Sequence, residues 1–194
     1  METEELLKRG ISVCWYFLLA WWLWSARGNK VVARGEPWTT RLLLYWLPLT
    51  LAFVLLGPGD WYGHTWLREG IVPHTLPFFT AALVIVAAGV ALACWSRYLL
   101  GRNWSSVVQI KKDHELIEAG PYRFIRHPIY SGLLLAFIGT AIREGDVRGI
   151  VAVLIVLASF WRKLRMEERM LGETFGGAYA AYKARTAALI PGVL

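Results

Sequence analysis

Two polar stretches hold most of the side chains that could do chemistry. The first spans residues 101–130 and reads GRNWSSVVQIKKDHELIEAGPYRFIRHPIY. Gly120-Pro121 marks a turn within it, and Pro128 suits the first position of a helix starting near Ile129. Arg126 and His127 then stand at a helix N-terminus, where free N–H groups favour an anion such as a carboxylate or phosphate. A basic interfacial loop touching lipid headgroups is the alternative reading of the same residues. The second stretch, residues 161–175, reads WRKLRMEERMLGETF, and its charges continue an apolar helix without a break. Lys163 and Glu167 are spaced i,i+4, and Arg165 and Glu168 are spaced i,i+3, so each pair shares a helix face. Weak solvated ion pairs would account for them. Yet carboxylates at a membrane boundary are costly unless partnered or functional, and a cationic ligand or a substrate amine would be a natural partner for Glu167 and Glu168.

Other residues carry blander readings. Cys14 and Cys94 lie in apolar runs, form no CxxC or Cys/His spacing, and read as small core residues with no metal site. His64 and His74 read as interfacial, and Trp15, Trp21, Trp22 and Trp24 as lipid-facing or belt aromatics. No GxGxxG, P-loop, HExxH or GxSxG occurs, which removes the usual nucleotide folds and hydrolases and leaves a soluble Rossmann methyltransferase without its glycine loop.

The elements that must position these stretches are apolar. Of 194 residues, 56% are hydrophobic and only 18% charged, with 11 Trp and a mean hydropathy of +0.42. That excludes disorder and argues against a soluble domain. The runs 11–26, 42–56, 75–100, 129–142 and 149–161 read as membrane segments, with Pro48 expected to kink the second. The last two are short and form a helical hairpin, either barely spanning or re-entrant. The acidic and basic N-terminus, with no clear cleavage site after it, reads as leading into a retained first span. With five crossings, 16 of the 21 Lys and Arg fall on the side that holds residues 27–41, 97–128 and 162–194. The positive-inside rule makes that side cytoplasmic and the N-terminus external. Both polar stretches share that face whether or not the hairpin spans. The net charge of +7 is then explained by anionic headgroups rather than nucleic acid. The expected fold is an all-α integral membrane protein with N-terminal transmembrane helices in residues 1–100 and a catalytic region in 101–194.

The combination GPYRFIRHPIYSG, a short hairpin, then EER…FGGAYAAYKAR…IPG resembles the isoprenylcysteine carboxyl methyltransferase family, whose core features the phospholipid N-methyltransferases share. The resemblance covers residues 101–192. It implies an integral-membrane enzyme using S-adenosyl-L-methionine, with a cytosolic cofactor pocket built from the loop before the hairpin and the polar C-terminal tail. Carried over residue by residue, it implicates Gln109, His114, Glu115, Leu116, Ile117, Tyr122, His127, Pro128, Ile129 and Tyr130 in holding the cofactor. Gly120 at the turn and Arg126 at the helix N-terminus complete the expected cofactor-binding set. Glu167 matches a Glu near the reacting centre, and Lys163 stands where eukaryotic members direct an Arg toward the substrate. Lys is a point charge rather than a bidentate fork, which loosens the tie to a prenylcysteine carboxylate. Ala187-Ala188 replaces a more polar or basic pair expected in many relatives.

Three functions follow as expectations. The first is methylation of an isoprenylcysteine-type or other lipid-like carboxylate, which enters from the bilayer and needs no base. The second is methylation of a phospholipid amine or a thiol, where Glu167 or Glu168 would accept the proton. The third is a transporter or scaffold, disfavoured because the spans are almost free of ionisable residues. The expected location is a prokaryotic inner membrane, with the active site facing the cytosol.

Overall fold

The computed structural model describes residues 2–25, 32–35, 37–101, 109–111 and 116–192, with 32–35 and 109–111 as backbone. Helix α1 (Glu2–Ser25) is followed by strand β1 (Val32–Gly35) and helix α2 (Trp38–Arg41). A π-helical turn (Leu42–Trp46) joins α2 to α3 (Leu47–Leu55), and α4 (Leu76–Leu100) and strand β2 (Gln109–Lys111) come next. A 3-10 turn (Gly120–Arg123) leads to α5 (Pro128–Glu144), α6 (Val147–Phe175) and α7 (Gly177–Ala184).

The helices start and stop for local reasons. Glu2, Glu4 and Glu5 crowd the first turn of α1, where negative charge complements the helix dipole, so this helix begins well before the apolar run at residue 11. Proline opens both α4 and α5, where a missing N–H costs nothing. Gly145 ends α5 in the left-handed conformation, φ 71°, with its N–H donated to Ala141 O at 2.9 Å. Asp146 precedes α6 but makes no cap hydrogen bond. It accepts instead from Arg148 Nε at 2.6 Å.

Helix direction alternates along the chain. Gly89 faces Gly132 while Val86 and Ala82 face Gly139, so α4 and α5 run antiparallel. A Cβ on Gly89 or on Gly132 would run into the carbonyl oxygen of the other, and the two backbones meet only because neither has one. Arg148 reaches Leu55 O, Ser159 reaches Leu44 O and Tyr45 reaches Met166, so the α2–α3 rod runs antiparallel to α6. Trp15 joins the two halves of the core. Its indole donates to Thr140 Oγ1 at 3.0 Å and packs edge-on against Phe53 and Phe137.

Two helical stretches, Trp38–Leu55 and Leu76–Leu100, are long and apolar enough to cross a membrane. Only 17% and 33% of their most apolar windows are buried within the protein, so most of each faces outward, unlike the core helix of a soluble protein. The predominantly helical fold matches the expected all-α class, to which the described residues add one short ribbon. Strands β1 and β2 form an antiparallel two-stranded ribbon with Val32 opposite Lys111 and Gly35 opposite Gln109. Each strand is too short to carry a readable alternation. The ribbon nonetheless ties two of the expected cytoplasmic stretches to each other.

Candidate functional site

The site forms where α5 begins, against the polar part of α6, and a strap from the C-terminal tail closes it. Residues 124–127 pair with 187–188 in the manner of a parallel strand: Arg126 N–H donates to Ala187 O at 2.8 Å, His127 N–H to Ala188 O at 3.1 Å, and Ala187 N–H to Phe124 O at 3.0 Å. Ser131 Oγ extends the seam by donating to Leu189 O at 2.6 Å. Tyr182 Oη donates to Tyr122 O at 2.8 Å, and Tyr122 Oη to Ser96 O at 3.4 Å, linking α7, the 3-10 turn and the end of α4. Because Ala187 and Ala188 act through their backbones, the absence of a more polar pair there leaves the strap intact.

Inside the strap the two carboxylates of α6 meet the start of α5. Tyr130 Oη donates to Glu167 Oε1 at 2.6 Å, and His127 Nδ1 lies 3.5 Å from Glu167 Oε2. Glu168 Oε1 accepts from Arg126 Nε at 2.7 Å, and Glu168 Oε2 from Lys183 Nζ at 2.6 Å. Arg126 also donates to Thr186 O and, at 3.3 Å, to Lys183 O. The His127 ring stacks on Tyr130, centroids 5.5 Å apart, and Tyr130 stacks on Phe160 at 5.0 Å. Lys163 Nζ lies over the rings of Tyr45 and Tyr130, 4.9 and 5.2 Å from their centroids.

The electrostatics follow from that packing. Burial favours neutral His127, but the two carboxylates outweigh it and raise the imidazole above its ordinary range. Burial likewise works against the Glu167 charge. His127, Lys163 and the Tyr130 hydroxyl reverse that effect and hold Glu167 below the usual carboxylate range. Glu168 is also held well below it, since His127, Lys183 and Arg126 together outweigh its burial. A carboxylate so paired is a poor proton acceptor near neutral pH.

These contacts revise two local expectations. Glu168 is not a solvated partner of Arg165; it is 7% exposed and taken by Arg126 and Lys183, while the Arg165 guanidinium lies over Trp161. Arg126 turns to Glu168 and the tail carbonyls rather than standing as an open anion site. Of the other expected residues, Tyr122, Pro128, Ile129 and Tyr130 are buried around His127, and Leu116, Ile117 and Gly120 are partly exposed on the approach. His114 and Glu115 lie outside the described residues, and Gln109 is described only as backbone of β2. Tyr45, Lys183, Thr186 and Tyr182 are site neighbours that spacing did not single out. An open cavity of about 520 Å³ lined by Asp60, His64, Arg68 and Glu69 involves none of these residues.

One polar atom stands out. His127 Nε2 is buried, has no hydrogen-bond partner among the described residues, and lies 3.6 Å from Glu168 Oε1, beyond hydrogen-bonding range. Burying such an atom without a partner is costly. It adjoins the first turn of α5, whose leading N–H groups have no intrahelical acceptors.

Comparison with known proteins gives the setting. The phospholipid methyltransferase family model matches residues 78–178. A rice protein (Oryza sativa subsp. indica) described as a probable protein-S-isoprenylcysteine O-methyltransferase is 33% identical over 112 residues, covering 56% of this chain and 59% of the relative. A cobalt-zinc-cadmium resistance protein, CzcN, of Cupriavidus metallidurans is 30% identical over 143 residues, covering 73% of this chain and 58% of the relative. The chain thus spans less than two thirds of the length of the curated relatives it matches. A solved eukaryotic intramembrane Ras methyltransferase, an isoprenylcysteine carboxyl methyltransferase, superimposes with a TM-score of 0.58 at 24% identity, over 77% of this chain and 52% of that one. The fold is shared with that enzyme, and with the family model spanning just over half of its 194 residues the chain belongs to the phospholipid methyltransferase family.

Proposed function

We propose that this protein is an integral-membrane methyltransferase that uses S-adenosyl-L-methionine to methylate a lipid-like acceptor, with an isoprenylcysteine-type carboxylate as its substrate class. The observation that carries the reading is the charge arrangement at the strap. Three cationic groups, Arg126, Lys163 and Lys183, surround two carboxylates, Glu167 and Glu168, both held below the usual carboxylate range, and the same carboxylates raise His127 above its ordinary range. The three cations outnumber the two carboxylates, which suits an anionic acceptor.

The residues present fit the methyl donor. It carries a carboxylate, a ribose, a purine and a sulfonium, and the site offers a buried His127 Nε2 that has no hydrogen-bond partner among the described residues, beside a helix N-terminus, with Glu167 held below the usual carboxylate range nearby. His127, Tyr122, Tyr130 and the preceding loop would hold the donor's polar ends, with Glu167 toward its positive centre. When bound, the donor supplies a methyl group on a positively charged sulfur. The chain's own residues bind, orient and exclude water. The Tyr130 hydroxyl and His127 fix the Glu167 carboxylate in one rotamer. Arg126 anchors the strap that covers His127, and Lys163 presents positive charge to an acceptor carboxylate. Such an acceptor is already a nucleophile at neutral pH, so no base is required.

The five helical rods α1, α2–α3, α4, α5 and α6 are proposed to cross a prokaryotic inner membrane with the N-terminus outside and the site at the cytosolic face, where lipid enters sideways and the donor from solution. Residues 101–194 form the proposed catalytic region.

The second reading, methylation of a phospholipid amine, has the family's name in its favour. It requires a base, and the pairing of Glu167 and Glu168 opposes that role. Two measurements decide. Calorimetry in detergent should show donor binding that weakens in His127→Ala with the fold intact. Methyl transfer to a farnesylcysteine analogue, and none to phosphatidylethanolamine, is the expected outcome; the reverse pattern overturns the carboxylate reading.

A further inference from the structure

We infer that the outward face of α6 seats an anionic phospholipid of the cytosolic leaflet, its phosphate held by Arg162, Arg165 and Arg169 and its acyl chains laid along Ile150 and Leu154. The inference rests on the proposal above that α6 crosses a membrane, and not on the identity of the methyl acceptor.

Along that face the side chains change type in the order that a leaflet does. Ile150 and Leu154 are 48% and 57% exposed, although they belong to the apolar run of α6. Trp161 follows at 37%, and Arg162, Arg165 and Arg169 are exposed beyond it. Steps of four, seven, four and four residues keep Ile150, Leu154, Trp161, Arg165 and Arg169 on one side of the helix, with Arg162 one turn before Arg165. At about 1.5 Å per residue, Ile150 to Trp161 covers about 16 Å. Half of a hydrocarbon core is about 15 Å, so this length suits the chains of one leaflet. Tryptophan favours the level at which those chains end. The three arginines span about the next 10 Å, the headgroup zone and its aqueous edge.

The carboxylates of the same stretch do not neutralise this row. Glu168, three residues after Arg165, would be its natural partner, but Arg126 and Lys183 take it. Glu167 is turned to Tyr130 and His127. Among the described residues no carboxylate stands within ion-pair range of Arg162, Arg165 or Arg169. Glu173, exposed and four residues after Arg169, sets one negative charge against three positive ones. The Arg165 guanidinium lies 5.8 Å from the Trp161 ring centroid, which joins the basic part of the face to the aromatic part. Guanidinium forks match phosphate oxygens. A zwitterionic headgroup brings its own cation to such a row, whereas an anionic one does not, so the row selects net negative charge. A second copy of the chain would set arginines against arginines and be repelled. The same turns of α6 carry Lys163 and Glu167 inward, so a lipid seated on the back of the helix fixes the depth at which the candidate site meets the bilayer.

The test releases the purified full chain from bilayers of phosphatidylglycerol and phosphatidylcholine, in equal amounts with matched chains, and counts the lipids that stay bound by native mass spectrometry. Phosphatidylglycerol should be retained over phosphatidylcholine by about fivefold or more, and the ratio should fall as salt is raised during release. Arg162→Gln with Arg165→Gln and Arg169→Gln keeps polarity and helix propensity and should bring the ratio to within about twofold of unity. Arg9→Gln with Arg68→Gln removes exposed charge at the other end of the helices and should leave the ratio at its wild-type value. Arg165→Gln alone should give an intermediate ratio, and it serves if the triple variant does not fold. Equal retention of the two lipids by the wild type, or an undiminished preference in the triple variant, overturns the site. A complex with a polyglutamate peptide that depends on the three arginines, in a protein without lipid preference, overturns it in favour of an acidic protein segment. A chain that stays monodisperse in buffer without detergent overturns the membrane reading itself. A chain that selects phosphatidylglycerol but methylates no acceptor supports the lipid site and overturns only the proposed activity.

Discussion

Glu167 is the residue on which the proposed chemistry turns. Its carboxylate is pinned by Tyr130 and His127 and kept ionised against burial. Glu167→Gln preserves the size of the side chain and an acceptor for the Tyr130 hydroxyl while removing the charge. Turnover should fall at least about tenfold, equivalent to about 1.4 kcal/mol of barrier, with little change in detergent stability. Near-normal turnover would reduce Glu167 to a packing residue. The same cluster sets a pH window. Glu167 and Glu168 have folded values below the unfolded 4.5, so their stabilisation is present above that pH and is lost as pH falls through the folded values. His127 has a folded value above the unfolded 6.5, so its contribution is full below 6.5 and disappears as pH rises through the folded value. Thermal unfolding should therefore give a midpoint that is highest between these limits and falls on both sides. In His127→Gln the alkaline fall should shrink. Spacing singled out Glu167 and His127 as candidates, which the structure brings within 3.5 Å of each other, but it misassigned the partner of Glu168. The i,i+3 rule sees only one helix, whereas Arg126 and Lys183 arrive from outside α6.

At the scale of elements, the strap and the glycine contact make separable demands. Arg126 and Glu168 are both largely buried, with side chains 9% and 6% exposed. Removing one member leaves the other short of partners, so Arg126→Ala should cost about 3 kcal/mol in detergent unfolding. Arg126→Ala with Glu168→Ala should cost less than the sum of the two single changes, and strict additivity would mean that the pair is not coupled. Gly132 has no such compensation. A side chain at that position meets the Gly89 carbonyl of a neighbouring helix, so Gly132→Val should separate α4 from α5. The expected loss is about 3 kcal/mol or more, or failure to accumulate as a monodisperse species. Helix positions were legible because apolar runs and prolines mark them. The π turn was not: Pro48 announces a kink, but the Leu44 carbonyl it leaves open is met by Ser159, more than a hundred residues away.

The whole molecule has two ends with different duties. At one, Arg148 binds Glu144, Asp146 and the carbonyls of Leu55 and Gly57, while His74 Nε2 lies 2.9 Å from Glu144 O. That network fixes helix termini and the hairpin turn. At the other stand His127, Glu167, Glu168 and the strap. The Lys and Arg excess lies on the side of the site, so a reporter fused at the C-terminus should be active only in the cytoplasm, and periplasmic activity would invert the proposed orientation. Composition and charge bias are what this proposed sidedness rests on. The short ribbon was unreadable, since strands of four and three residues carry no usable pattern.

The strap also has a consequence in time. His127 and Arg126 are made early, but the carbonyls that receive their N–H groups belong to Ala187 and Ala188, and the one that receives the Ser131 hydroxyl belongs to Leu189. A chain still emerging from the ribosome can hold every apolar helix and yet lack the last side of the candidate site. The strap therefore cannot form until residues 187–189 have been made, and a chain halted before Thr186 would hold α1 to α7 and leave His127 with nowhere to settle.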